Sequence, residues 1–114
     1  MSWKVYHNNR CTKSRNALSY LEDKGIDFDV VEYMKEPIDK NELKEVILLL
    51  GIKPEDLIRK NEQEYKDHFK TKKLSDDEWI EAMITYPKLM QRPIVVHDKK
   101  ALIARPTEEI DKLL

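Results

Sequence analysis

The chain has 114 residues, 21 basic and 22 acidic side chains, a formal net charge of −1 and one cysteine. This length suits one domain with a modest core, and the balanced charge leaves no electrostatic footprint for nucleic acid or an anionic membrane. A single cysteine excludes an internal disulfide and a cysteine-based zinc site. With no basic-then-apolar leader and no apolar stretch of membrane-spanning length, a soluble protein of the reducing cytoplasm is expected, with a monomer as the default.

Trp3 to His7 reads as a short strand centred on Val5. A helix follows over about Thr12–Lys24, with Ala17, Leu18 and Leu21 on one face and Gly25 as its stop. Phe28 to Tyr33 is β-rich and returns as a second strand. A strand–helix–strand unit of this length implies parallel pairing. Asp39 with Glu42 reads as a capping box for a second helix, whose inward stripe is Leu43, Val46, Ile47 and Leu50 and whose end is Gly51. Pro54 suits the first turn of a short third helix carrying Leu57 and Ile58. Ser75 and Glu78 form another capping box, opening a helix with Trp79, Ala82, Met83 and Tyr86 inward.

Pro93 precedes the most apolar strand, Ile94 to Val96, and the Asp98-Lys99 turn returns the chain as Ala101 to Ala104. Pro106 opens a last helix with Ile110, Leu113 and Leu114 inward. The order β-α-β, helices, β-β-α is that of an α/β thioredoxin-like sandwich with a mixed four-stranded sheet. The whole chain, 1–114, is read as a single such domain, with a helical insert at about 39–87.

The chemistry concentrates at Cys11, where the first strand has ended and the first helix begins: His7-Asn8-Asn9-Arg10-Cys11-Thr12-Lys13-Ser14-Arg15. A thiol there meets unpaired N–H groups and the positive end of the helix dipole, which favour the thiolate. The polar and basic flanks argue against the alternative of a small, inert, buried cysteine. Three residues on, where dithiol members of the thioredoxin class carry a resolving cysteine, stands Ser14, so an adduct on Cys11 needs an outside thiol for release. The basic residues divide into 16 lysines and 5 arginines, namely Arg10, Arg15, Arg59, Arg92 and Arg105. Guanidinium offers the planar two-point donor that suits an oxyanion, which lysine does not match.

Together, His7-Asn8-x-x-Cys11-x-x-Ser14-Arg15, Leu57-Ile58-Arg59-Lys60, Arg92-Pro93-Ile94-Val95-Val96 and Arg105-Pro106 resemble, in order and over nearly the whole chain, the glutathione- and glutaredoxin-dependent arsenate reductase family. The likeness is strongest to its small single-domain bacterial branch, related to Spx-type proteins. The resemblance implies that Cys11 attacks arsenate, that His7 tunes the thiolate, and that Arg59, Arg92 and Arg105 hold the oxyanion. Asn8, Ser14 and Arg15 would support the active-site loop, and Pro93 would be the cis-proline facing the cysteine. Glutathione is the implied co-substrate and glutaredoxin the partner, with no tightly bound cofactor and no metal. Asn9 stands where relatives often have proline, and Thr12 where the arsenic-resistance enzymes have glycine.

Two other readings share this fold. One is a glutathione-linked thiol-transfer protein that never meets arsenate. The other is an Spx-type regulator that binds RNA polymerase, although Ser14 removes the two-cysteine switch such regulators often use. Phosphatase-like arsenate reductases do not fit, because their C-x5-R loop would need an arginine where Ala17 stands.

Overall fold

The computed structural model describes residues 3–114, which group into two compact units. One unit is the chain up to Glu36 together with Arg92–Leu114; the other is Pro37–Gln91. The segment 39–87, expected to be helical, falls within the second of these units. Among the described residues, no helix is long and apolar enough to cross a membrane.

The first unit is built on a mixed four-stranded sheet. Its strands are β1 (Trp3–Tyr6), β2 (Asp29–Val31), β3 (Ile94–His97) and β4 (Lys100–Ile103), in the order β2-β1-β3-β4. β1 runs parallel to β2 and antiparallel to β3, and β3 pairs antiparallel with β4. The parallel pair needs a crossover, which α1 (Thr12–Asp23) supplies, whereas the antiparallel pair needs only a tight turn. That turn is Asp98-Lys99, with Asp98 at φ 55°, a left-handed conformation that aspartate tolerates better than most side chains. This is the thioredoxin-like α/β architecture expected from the sequence.

Register places Val5, Val95 and Leu102 side by side across three strands. Their face packs against Ala17 and Leu21 of α1 and against Ile110 and Leu113 of a 3₁₀ segment, Thr107–Leu113. The last helix is thus 3₁₀ in geometry. Leu114, expected inward, is instead exposed, because the short segment has turned its inward face to Ile110 and Leu113 by then. β1 ends one residue before His7, yet the His7 N–H still donates to Val31 O at 2.9 Å. β2 is shorter than the β-rich run suggested.

In the second unit, α2 (Lys40–Leu50) starts at Asp39, whose carboxylate accepts from the Asn41 N–H, and ends at Gly51 with φ 69°. Leu50, expected on the inward stripe, is only half-buried. α4 (Asp76–Thr85) does begin with the expected box between Ser75 and Glu78. Leu43, Val46 and Ile47 of α2 and Trp79, Ile80 and Met83 of α4 are buried. The ion pairs Lys40–Glu81 at 2.9 Å and Lys44–Asp77 at 3.3 Å lie between the same two helices. A 3₁₀ turn at Pro54–Leu57 leads into a strand-like stretch: Ile58 bridges Met90, the Arg59 N–H donates to Leu89 O, and the Gln91 N–H donates to Leu57 O. The sequence reading did not include α3 (Gln63–His68), which buries none of its residues and so carries no apolar stripe to announce it.

Candidate active site

Sheet register brings most of the residues singled out in the sequence to one end of the first unit. Tyr6 pairs with Ile94, and Ile94 with Ile103. One step further along each strand come His7, Pro93 and Ala104, and beyond them Asn8, Arg92 and Arg105. The Ala104 N–H donates to Pro93 O at 2.9 Å, which continues the hairpin to the two Arg-Pro steps. Both of these peptide bonds, Arg92-Pro93 and Arg105-Pro106, are cis.

The loop from His7 to Thr12 is tied down by short polar bonds. Asn8 carries three of them: its side-chain Oδ1 accepts from the Arg10 N–H, its carbonyl accepts from the Cys11 N–H, and its own N–H donates to Ser14 Oγ, all at 3.0 Å. His7 Nδ1 lies 2.9 Å from the same Ser14 hydroxyl, in a hydrogen bond whose direction follows the ring tautomer. His7, Asn8 and Ser14 are all buried, Ser14 completely. Such a cluster is stable only because each member finds a partner. Outside it, the Arg15 guanidinium donates to Asn9 O at 2.8 Å and to Thr12 Oγ1 at 3.2 Å, fastening the exposed side of the loop. The hydroxyl at position 12 therefore has a partner within the loop.

Cys11 sits at the N-cap of α1 with extended backbone, φ −100° and ψ 121°, and its thiol is half-buried and free. Its side chain closes no cap hydrogen bond of its own. The neighbouring donors act on the sulfur electrostatically. Partial burial pushes the thiol up, but the Ser14 N–H, the Arg92 guanidinium and the Lys13 N–H together outweigh it and hold the pKa below its ordinary value. Burial, with Arg15 acting in the same sense, pushes the His7 pKa down against Glu32 and the hydrogen bonding at Ser14, which favours the neutral ring. Its Nδ1 is directed at Ser14.

Arg92 is half-buried and acts directly on the thiol, whereas Arg105 is exposed at the end of β4. Arg59 belongs to the other unit, where it ion-pairs with Glu62. Sequence reasoning missed Glu62. The one available signal was an acidic residue three positions after an arginine. It also treated Ser14 chiefly as an absent cysteine, while the structure gives its hydroxyl the central place in the loop.

Ser14→Ala is expected to cost about 1–3 kcal/mol of stability in urea denaturation, because the buried Asn8 N–H loses its acceptor. An unchanged midpoint and slope would remove Ser14 from the loop's support.

The arrangement offers an activated sulfur, a helix start and a guanidinium, which suits nucleophilic attack on an anion. The ArsC family model matches residues 6–113. An arsenate reductase of Neisseria meningitidis serogroup A is 39% identical over 113 residues, covering 97% of both chains. The uncharacterized protein YfgD of Escherichia coli K12 is 41% identical over 109 residues, covering 94% of this chain and 92% of its own. Among solved structures, an arsenate reductase from Vibrio cholerae superposes with a TM-score of 0.94 at 38% identity, covering all of this chain and 98% of that one.

Proposed function

The chain belongs to the ArsC family, and we propose that it is an arsenate reductase that works through Cys11. The observation that carries this reading is the half-buried thiol at the start of α1, its pKa held down by two backbone N–H groups and Arg92. The thiolate attacks arsenic, an S–As bond forms, and one arsenate oxygen leaves as water after taking up protons. Glutathione then attacks the Cys11 sulfur. The new S–S bond forms as the S–As bond breaks, and its electron pair stays on arsenic, reducing As(V) to As(III). Arsenite departs, and glutaredoxin reduces the mixed disulfide on Cys11. An outside thiol is needed because position 14 is a serine.

Arg92 is assigned two tasks: offsetting the repulsion between thiolate and anion, and donating to the oxyanion as charge shifts in the transition state. Arg59 and Arg105 are assigned to oxyanion binding from the family resemblance. His7, fixed on Ser14, acts by holding the loop from which Cys11 projects, with Asn8 and Arg15 in the same role.

The test is a coupled assay with arsenate, glutathione, glutaredoxin, glutathione reductase and NADPH. The reading requires arsenate-dependent NADPH oxidation matched by arsenite formation. An active coupling system without arsenite would contradict it, and glutathione adducts on Cys11 in that case would favour the thiol-transfer function.

A further inference from the structure

Arg59 is held by a carboxylate of its own unit. Its Nη1 donates to Glu62 Oε1 at 2.6 Å, and the two side chains are only 16% and 22% exposed. The backbone fixes both ends of this pair. The Arg59 N–H donates to Leu89 O at 2.7 Å, and the Glu62 N–H donates back to Arg59 O at 3.2 Å, where Glu62 caps α3. A pair this sheltered from water is felt more strongly than a surface ion pair.

Two consequences bear on any anion that Arg59 binds. The contact with Glu62 uses Nη1, and the edge formed by Nε and Nη2 is the two-point donor of the guanidinium. The carboxylate also travels with the guanidinium, so the pair supplies oriented donors with little net positive charge. Each further negative charge on a ligand then meets added repulsion from Glu62.

We propose that Glu62 is a specificity-determining residue acting through Arg59, biasing anion binding at that guanidinium toward oxyanions that retain a proton and against fully ionised sulfate. Arsenate near neutral pH keeps at least one proton and exists partly as a monoanion; sulfate keeps none. This inference rests on the assignment of Arg59 to oxyanion binding. Glu62 positions and screens the guanidinium and takes no part in bond making.

The test is a chemical-shift titration with arsenate and with sulfate at pH 7. The protein carries Cys11→Ser so that no chemistry follows, and the same background is compared with Glu62→Gln and Glu62→Asp. Glu62→Gln keeps size and hydrogen bonding but removes the charge. It is expected to tighten sulfate about tenfold, roughly 1.4 kcal/mol, and arsenate distinctly less, so that preference for arsenate falls. Glu62→Asp restores the charge and is expected to bring the preference back toward that of the parent. A general loss of structure would weaken both anions together and would not move their ratio in this direction. If the parent binds arsenate and the ratio stays unchanged in Glu62→Gln, the role of Glu62 is overturned while the arsenate reading stands. If the parent binds neither anion, both fall.

Discussion

Cys11→Ser is expected to abolish arsenate-dependent NADPH oxidation to the level of the coupling enzymes alone, with the fold unchanged by circular dichroism. The substitution replaces one atom, and the helix start around it still presents the Lys13 and Ser14 N–H groups. Nucleophilic capacity is what disappears. A thiol of ordinary pKa about 8.5 already supplies some thiolate near neutrality, and these surroundings supply more. A serine hydroxyl ionises far above that range. His7 Nδ1 is engaged by the Ser14 hydroxyl, and burial lowers the basicity of its ring. No other cysteine exists to take over the S–As bond. Residual turnover above one part in a thousand would place the reacting group elsewhere.

Arg92→Ala is expected to lower kcat/KM by about 10²–10³-fold, the usual cost of removing one preorganised donor to a developing oxyanion. Two losses combine. The thiol loses a hydrogen-bond donor and a nearby positive charge, so burial, which pushes its pKa up, is less opposed. The anion loses a two-point donor that no surface lysine replaces in geometry. Arg92→Lys, which restores charge without the planar fork, is expected to recover the thiol pKa more fully than the rate. Equal recovery of both would reduce Arg92 to a charge alone, and wild-type rates in Arg92→Ala would remove it from the site.

Much of this was readable along the chain because the signals were local. The Cys11 position follows from a strand ending and an amphipathic helix starting within a few residues, and the antiparallel hairpin from apolar runs around Asp98-Lys99. Ser75 and Glu78 marked the start of α4 through side chains that reach their own backbone. Less legible were features that depend on tertiary placement. A serine at position 14 looks like any exposed polar residue of a first helical turn. It is buried because His7 and the Asn8 N–H are folded back onto it. The short α3 lacks an apolar face, and Leu114 looked like part of a stripe that ends at Leu113. The family motif singled out Arg59 without its partner, because the residues that mark an ion pair at this spacing are equally common on open surface. Only burial of both side chains distinguishes this pair.

Whether the Cys11 thiol is activated is read from the rate of its alkylation by iodoacetamide as a function of pH, on the full chain without substrate. The folded thiol has a lowered pKa, so the thiolate persists to lower pH than in the unfolded chain. The rate is therefore expected to rise with a midpoint below that of the unfolded chain and to fall away as pH drops through it. Unfolding in urea should return the midpoint to the ordinary range. A folded midpoint at or above that of the unfolded chain would contradict an activated thiol at position 11.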